Sequence, residues 1–196
     1  MHRALKQAAR WGACSRNVAT LVTPPRMPHH EMRSLAPDQA RAFLAAAAGD
    51  HLEALYVLAV TTGMRQGELL GLRWRDLDLE AGSVRVQTSL QRTPHGFELA
   101  EPKTARSRRQ IVLGEAARAA LRRRRLQQEL DRRVAGDAWT NHEGLVFTNA
   151  LGENALGVLR TSFPALLARA GVRPVRFHDL RHSAASLLSA GPPARR

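Results

Sequence analysis

The stretch TGMRQGEL, at residues 62–69, separates two segments that both predict helix. Residues 51–62 are mostly apolar, which is typical of a helix that is buried on most sides. Residues 65–74 predict another helix, which begins after Gly63. The stretch is therefore a junction between two helices, and the rest of the chain can be assigned outward from it.

Upstream of the junction, residues 37–47 predict one more helix. Pro37 suits a first helical position, and apolar residues recur at helical spacing until Gly49 ends the run. The helix at residues 51–62 follows almost at once. We expect a compact domain that begins near Ser34.

The amino-terminal segment has a different character. Residues 4–11 predict a helical turn or two, and residues 18–33 predict an extended connector. Proline disfavours helix there, and the prolines are Pro24, Pro25 and Pro28. We therefore predict two parts, a remnant of another module at 1–33 and a compact domain at 34–196.

Downstream of the junction the pattern changes to alternation. Residues 83–88 alternate apolar and polar side chains, residues 110–113 form a second apolar run, and residues 97–99 lie between them. Alternation with a period of two is typical of half-buried strands. The pattern predicts a small antiparallel sheet.

Helical patterns return after the sheet. Residues 114–134 predict a long polar helix, and residues 145–147 predict a short buried strand or extended piece. Residues 154–170 and 178–189 predict two further helices. The expected inner stripe of the long helix consists of Ala117, Leu121, Leu126 and Leu130. The predicted fold class is mainly α with a small antiparallel β-sheet (α+β).

The charge of the chain favours an anionic partner. Its 196 residues include 30 Lys and Arg against 17 Asp and Glu, a net charge of +13. Such an excess favours nucleic acid, although a GC-rich genome that encodes arginine readily is an alternative explanation. The lone Cys14 excludes a disulfide framework, and no apolar run or signal region suggests a membrane. We expect a reduced, cytosolic compartment.

Two further stretches carry basic residues that suit a phosphate site. The stretch EPKTARSRR contains Lys103, and the stretch FHDLRHSAAS contains His178 and Arg181. His178, Arg181 and His182 are spaced i, i+3, i+4, so they fall on one helix face. His178 and Arg181 can then reach the same ligand.

Arginines from distant segments can clamp one phosphodiester. A planar guanidinium matches two non-bridging oxygens, so Arg65 and Arg181 are candidates for that clamp. Glu68 can fix Arg65, or the facing Arg181 and His178, by hydrogen bonding. Further phosphate contacts are expected from Arg106, Arg108 and Arg109.

Each residue also has a simpler explanation. Arg65 with Glu68 is compatible with a surface ion pair, and Lys103 with a solvated turn. His178 and His182 have the spacing of a metal pair, but no Glu stands at the expected position and Arg181 repels a cation. His182 is interpreted as a supporting, packed side chain.

Two more groups have simple structural interpretations. Arg122 to Arg125 are interpreted as a solvated helix face. Trp74 is expected to pack under the domain, and Tyr56 is interpreted as a core residue because it lies within an apolar helix.

The three stretches, in this order and with a sheet between them, resemble the catalytic domain of the tyrosine recombinases, the phage integrase family. The resemblance covers roughly residues 34–190, and residues 1–33 resemble the last helix and linker of the family's core-binding domain. It implies an integrase-type catalytic core that acts on double-stranded DNA without a metal or other cofactor. Arg65 and Arg181 are implied to bind the scissile phosphate, Lys103 to protonate the departing 5′ oxygen, and His178 to assist proton transfer.

The family's nucleophile is a tyrosine beyond the His-x-x-Arg motif, and here no tyrosine follows His178. Tyr56 precedes the other candidate residues. We therefore expect a chain shortened at its carboxyl end that does not cleave DNA by itself. Four alternatives remain. The chain is a DNA-binding competitor of an intact recombinase, or it receives a tyrosine in trans from a partner, in a homo-oligomer or with an intact recombinase on DNA. Otherwise it is an inactive degenerate fragment or a transcription factor of a different fold.

Overall fold

The computed structural model describes residues 2–23, 34–94, 96–101 and 109–189, the last five as backbone only. The chain divides into two compact units, Met1–Glu31 and Met32–Arg196. In the first unit, helix α1 spans His2–Arg10. A 3₁₀ turn at Val18–Leu21 replaces the extended backbone expected there, because the side chain of Asn17 caps the turn by accepting from the backbone N–H of Ala19.

The second unit is mainly helical, as the sequence predicts. Its helices are α2 (Pro37–Ala47), α3 (Glu53–Thr62), α4 (Gln66–Leu70), α5 (Glu115–Ala135), α6 (Leu156–Arg169) and α7 (Leu180–Ser189). Helix α4 is shorter than predicted. It ends at Gly71, and a 3₁₀ turn at Trp74–Asp76 follows. Within the described ranges, no helix is both long and apolar enough to cross a bilayer.

The predicted antiparallel pairing is confirmed, but the described strands form two sheets. Strands β1 (Leu77–Asp78), β2 (Ser83–Val86) and β5 (Arg109–Val112) form one sheet in the order β1-β2-β5. Strands β3 (Ser89–Thr93) and β4 (Gly96–Ala100) form a separate hairpin. Residues 97–99 therefore pair with β3 rather than with the first sheet, since Leu90 lies opposite Leu99.

Helix α3 runs through the core of the second unit. Every residue from Ala54 to Val60 is buried, which confirms the prediction from its apolar sequence. Tyr56 packs edge-on against Phe43 of α2, with ring centroids 5.5 Å apart, and it stacks on Phe163 of α6 at 6.2 Å. The aromatic rings therefore join α2 and α6 to α3.

The predicted inner stripe of α5 is wrong in its second half. Leu126 and Leu130 are 70 % and 54 % exposed, whereas Arg124 and Gln128 are buried. The solvated face predicted for Arg122 to Arg125 is therefore wrong at Arg124, which is buried. The reason is the extended segment at residues 145–148, whose carbonyl groups face α5 and need hydrogen-bond donors.

Arg124 and Gln128 supply those donors. The Arg124 Nε donates to the Val146 carbonyl at 3.1 Å, and its Nη2 donates to the Thr148 carbonyl at 3.1 Å. The Gln128 Nε2 donates to the Leu145 carbonyl at 3.0 Å. A leucine at either position would deprive two of these carbonyls of one of their hydrogen-bond partners.

Helix α4 lies close against the β3 strand because Gly67 within the helix and Gly71 directly after it have no Cβ. A Cβ added at Gly67 would lie 2.6 Å from the Ser89 Oγ, and one added at Gly71 would lie 2.8 Å from the Leu90 backbone nitrogen. Both distances are shorter than real Cβ contacts. The two glycines therefore allow α4, which carries Glu68, to pack on the hairpin.

Candidate functional site

Glu68 lies at the centre of the candidate site. It is 4 % exposed and stands in the first turn of α4. Its Oε2 accepts from the backbone N–H of Arg65 at 2.8 Å, and its Oε1 accepts from the Arg65 Nη1 at 3.0 Å. The carboxylate therefore holds both the backbone and the side chain of Arg65.

The guanidinium group of Arg109, from β5, hydrogen-bonds the same carboxylate through both of its terminal nitrogens. Its Nη1 donates to the Glu68 Oε1 at 3.0 Å, and its Nη2 donates to Oε2 at 2.8 Å. From the sequence we expected Arg109 to contact phosphate and Glu68 to hold Arg65, Arg181 or His178. No local signal indicates the observed pairing, because the two residues are 41 positions apart.

The arginines keep Glu68 ionised. Burial by itself raises the pKa of a carboxyl group, but the hydrogen bonds from Arg109 and then Arg65 outweigh it and lower the pKa of Glu68 to about 2. A buried carboxylate with two guanidinium partners is fully charged at neutral pH.

Arg181 reaches the site from α7. Its Nη1 donates to the carbonyl of Gly63 at 2.8 Å. Gly63 has a φ of +61°, a conformation that other residues rarely adopt, and a Cβ there would lie 3.4 Å from the Cβ of Ala184. The glycine therefore turns the chain at the end of α3 and lets α7 pack against it, which brings Arg181 beside the junction.

The arginines of the site lie within electrostatic reach of one another. Burial lowers the pKa of Arg181, and the positive charges of Arg65 and Arg109 lower it further, while Glu68 opposes them. Three guanidinium cations against one carboxylate leave two positive charges in the cluster. The side chain of Arg65 is 56 % exposed, so much of this charge faces solvent and is available to an anion.

His178 and His182 lie next to Arg181. His178 is exposed in the 3₁₀ turn Phe177–Asp179 that leads into α7. The ring centroids of the two histidines are 5.9 Å apart in an edge-on arrangement. In the part of the chain that the structure describes, no group of three or more His, Cys, Asp or Glu side chains is arranged to hold a metal ion.

The structure thus brings together Arg65, Glu68, Arg109 and Arg181, with His178 and His182 beside Arg181. Three other candidates from the sequence lie outside the described residues, namely Lys103, Arg106 and Arg108. Their roles stay predictions.

Tyr56 is a core residue, as expected. It is fully buried, and its hydroxyl group hydrogen-bonds the Ser162 Oγ at 2.9 Å. Burial raises its pKa to about 12. A buried, protonated phenol is poorly suited to attack a ligand at the arginine cluster.

Comparisons with known proteins identify relatives of this chain. The family described as the phage integrase family matches residues 33–195. A tyrosine recombinase XerC-like protein of Caldanaerobacter subterraneus subsp. tengcongensis is 33 % identical over 179 residues, which cover 85 % of this chain and 46 % of that protein. An integrase of Streptomyces ambofaciens is 32 % identical over 203 residues, covering 96 % of this chain and 50 % of that protein. The chain spans about half the length of these curated relatives.

Solved structures share the fold. The Tn1549 transposon integrase in complex with transposon right end DNA superposes with a TM-score of 0.73 at 23 % identity, over 97 % of this chain and 64 % of that one. The lambda integrase bound to DNA superposes with a TM-score of 0.60 at 19 % identity, over 96 % of this chain and 61 % of that one.

Proposed function

Because the chain belongs to the phage integrase family, we propose that residues 34–189 form the phosphodiester-binding part of a site-specific DNA recombinase. The cluster of Arg65, Arg109 and Arg181 around Glu68 carries this proposal. It retains two positive charges, and Arg65 is open to solvent. Arg65 and Arg181 bind the non-bridging oxygens of one phosphate, and their charge stabilises the negative charge that grows during transfer.

The partner is double-stranded DNA. A net charge of +13 favours a polyanion, and the two integrases with similar folds described above are themselves bound to DNA. When the tyrosine of an intact recombinase partner attacks the phosphorus, Lys103 protonates the departing 5′ oxygen and His178 assists proton transfer. The guanidinium groups neutralise the phosphate, so the reaction has no need of a metal.

The proposal is tested by the salt dependence of binding to a duplex, measured by fluorescence anisotropy. The double variant Arg65→Ala/Arg181→Ala is expected to bind at least ~100-fold more weakly. Its slope of log affinity against log salt is expected to fall by about 2, because two phosphate contacts are lost.

The matched control removes the same charge elsewhere. Arg123 and Arg133 on α5 have side chains that are 58 % and 73 % exposed, and Arg123→Ala/Arg133→Ala is expected to change affinity far less. Equal losses in the two double variants would contradict a specific phosphate pocket.

We further propose that these 196 residues bind the phosphate without cleaving the strand. The observation behind this is Tyr56, the only tyrosine of the sequence, which is buried with a pKa of about 12. A nicked suicide duplex is expected to give no covalent protein–DNA adduct on a denaturing gel. Adduct formation by the chain alone would contradict the proposal. An adduct on an added recombinase that keeps its tyrosine but has its own phosphate-binding arginines replaced by alanine would support donation of the tyrosine in trans.

A further inference from the structure

Arg109 is the one arginine of the described cluster whose two terminal nitrogens both point at Glu68. We infer that Arg109 is a positioning residue, which holds and neutralises the Glu68 carboxylate so that Arg65 stays free for the phosphate, and that it does not contact DNA itself. This inference rests on the proposed function, since it assigns Arg65 to the phosphate.

Arg109 and Arg65 differ in how they hydrogen-bond to Glu68. Arg109 uses both Nη atoms on Glu68, a fork that matches the carboxylate. Arg65 gives Glu68 one side-chain hydrogen bond, and a guanidinium has five N–H donors in all. The side chain of Arg109 is 30 % exposed, compared with 56 % for Arg65. Arg65 is therefore the more accessible group.

The charge balance around Glu68 explains why a second arginine is needed there. Arg65 and Glu68 alone form a neutral pair, and a buried carboxylate without another partner would draw the Arg65 guanidinium fully onto itself. Arg109 adds the positive charge that the carboxylate needs. Glu68 can then hold the backbone of Arg65 through the N–H group while most donors of its side chain remain available.

The alternative is that Arg109 binds a phosphate directly, as its basic surroundings in the sequence suggest. The two roles predict different behaviour when Glu68 is also changed. A positioning residue becomes unnecessary once the carboxylate is gone, whereas a DNA contact is lost whatever stands at position 68.

The experiment is a double-mutant cycle on the full 196-residue chain, with affinity for a duplex measured by fluorescence anisotropy at fixed salt. Arg109→Met is expected to weaken binding by about tenfold. Glu68→Gln combined with Arg109→Met is expected to return the affinity to within about threefold of Glu68→Gln alone. A double variant that binds about tenfold more weakly than Glu68→Gln alone, the same factor by which Arg109→Met weakens the parent chain, would overturn the inference.

A matched control uses the neighbouring strand. Arg85 is exposed on β2 opposite Gln110, and any loss caused by Arg85→Met is expected to be the same with or without Glu68→Gln. Equal coupling of Glu68 to Arg85 and to Arg109 would overturn a specific positioning role.

A replacement variant and a parallel measurement complete the experiment. If Arg109→Met does not fold, as judged by circular dichroism, Arg109→Lys replaces it. A partial loss of affinity that Glu68→Gln relieves supports the inference, and a loss of affinity that persists with Glu68→Gln opposes it. Arg65→Ala is measured in parallel. If Arg65→Ala leaves the affinity unchanged, the phosphate pocket itself is contradicted. If Arg65→Ala weakens binding while the effects of Glu68→Gln and Arg109→Met are additive, only the positioning role of Arg109 is contradicted.

Discussion

Two arginine clusters in this protein use the same side chain in opposite ways. The side chain of Arg124 is 2 % exposed, and that of Arg65 is 56 % exposed. Arg124 donates to the carbonyls of Val146 and Thr148 and pairs with Asp131. Arg65 shares one carboxylate with Arg109 and faces solvent.

The two clusters differ in how much positive charge and how many N–H donors remain available to a ligand. Around Arg124 the cation is matched by a carboxylate and its donors are used by the protein, so the cluster holds α5 to the extended segment at residues 145–148. Around Glu68 the cations exceed the carboxylate, so positive charge is left over. An arginine-rich chain thus contains both arginines whose donors are used within the protein and arginines that stay available to a ligand, and donor use and charge balance tell them apart.

The largest expected effect is on stability at Arg124. Arg124→Met is expected to lower the free energy of unfolding by about 3 kcal/mol, because Asp131 loses its buried arginine partner and the carbonyls of Val146 and Thr148 each lose one of their two side-chain partners. Urea unfolding followed by circular dichroism measures the change. The control Arg123→Met removes an exposed arginine one residue earlier and is expected to cost about 1 kcal/mol or less. Equal losses would remove the distinction between a structural and an exposed arginine.

A smaller effect is expected from acid at the Glu68 cluster. Its folded pKa of about 2 lies below the ordinary value of 4.5, so its contribution to stability is fully present above pH 4.5 and is lost as pH falls towards 2. The whole contribution is about 3 kcal/mol, of which about 2 kcal/mol is lost by pH 3.

Glu68→Gln separates this effect from the titration of other carboxylates. The difference in unfolding free energy between the parent chain and the variant is expected to shrink between pH 7 and pH 3. A constant difference over that range would show that the carboxylate gains nothing from its arginine partners.

Local patterns were sufficient for several elements. The apolar run of α3 and Gly63 at its end predict a buried helix and the turn after it, and both are present. The carboxylate of Glu68 three residues after Arg65 predicts their contact, which also forms. These features depend on neighbours within one or two helical turns, and such information is contained in any short stretch of sequence.

By itself, the sequence determined the mainly helical class, the antiparallel strands, the basic charge and the resemblance to the integrase family. Only the tertiary structure decided which face of α5 is buried and which arginine neutralises Glu68. Helical periodicity favours Leu126 and Leu130 over Arg124 and Gln128 because it ranks side chains by hydrophobicity alone. The buried face of α5 is instead determined by the carbonyls of residues 145–148, which need hydrogen-bond donors. The partner of Glu68 comes from a strand 41 residues away. A local pattern contains neither piece of information.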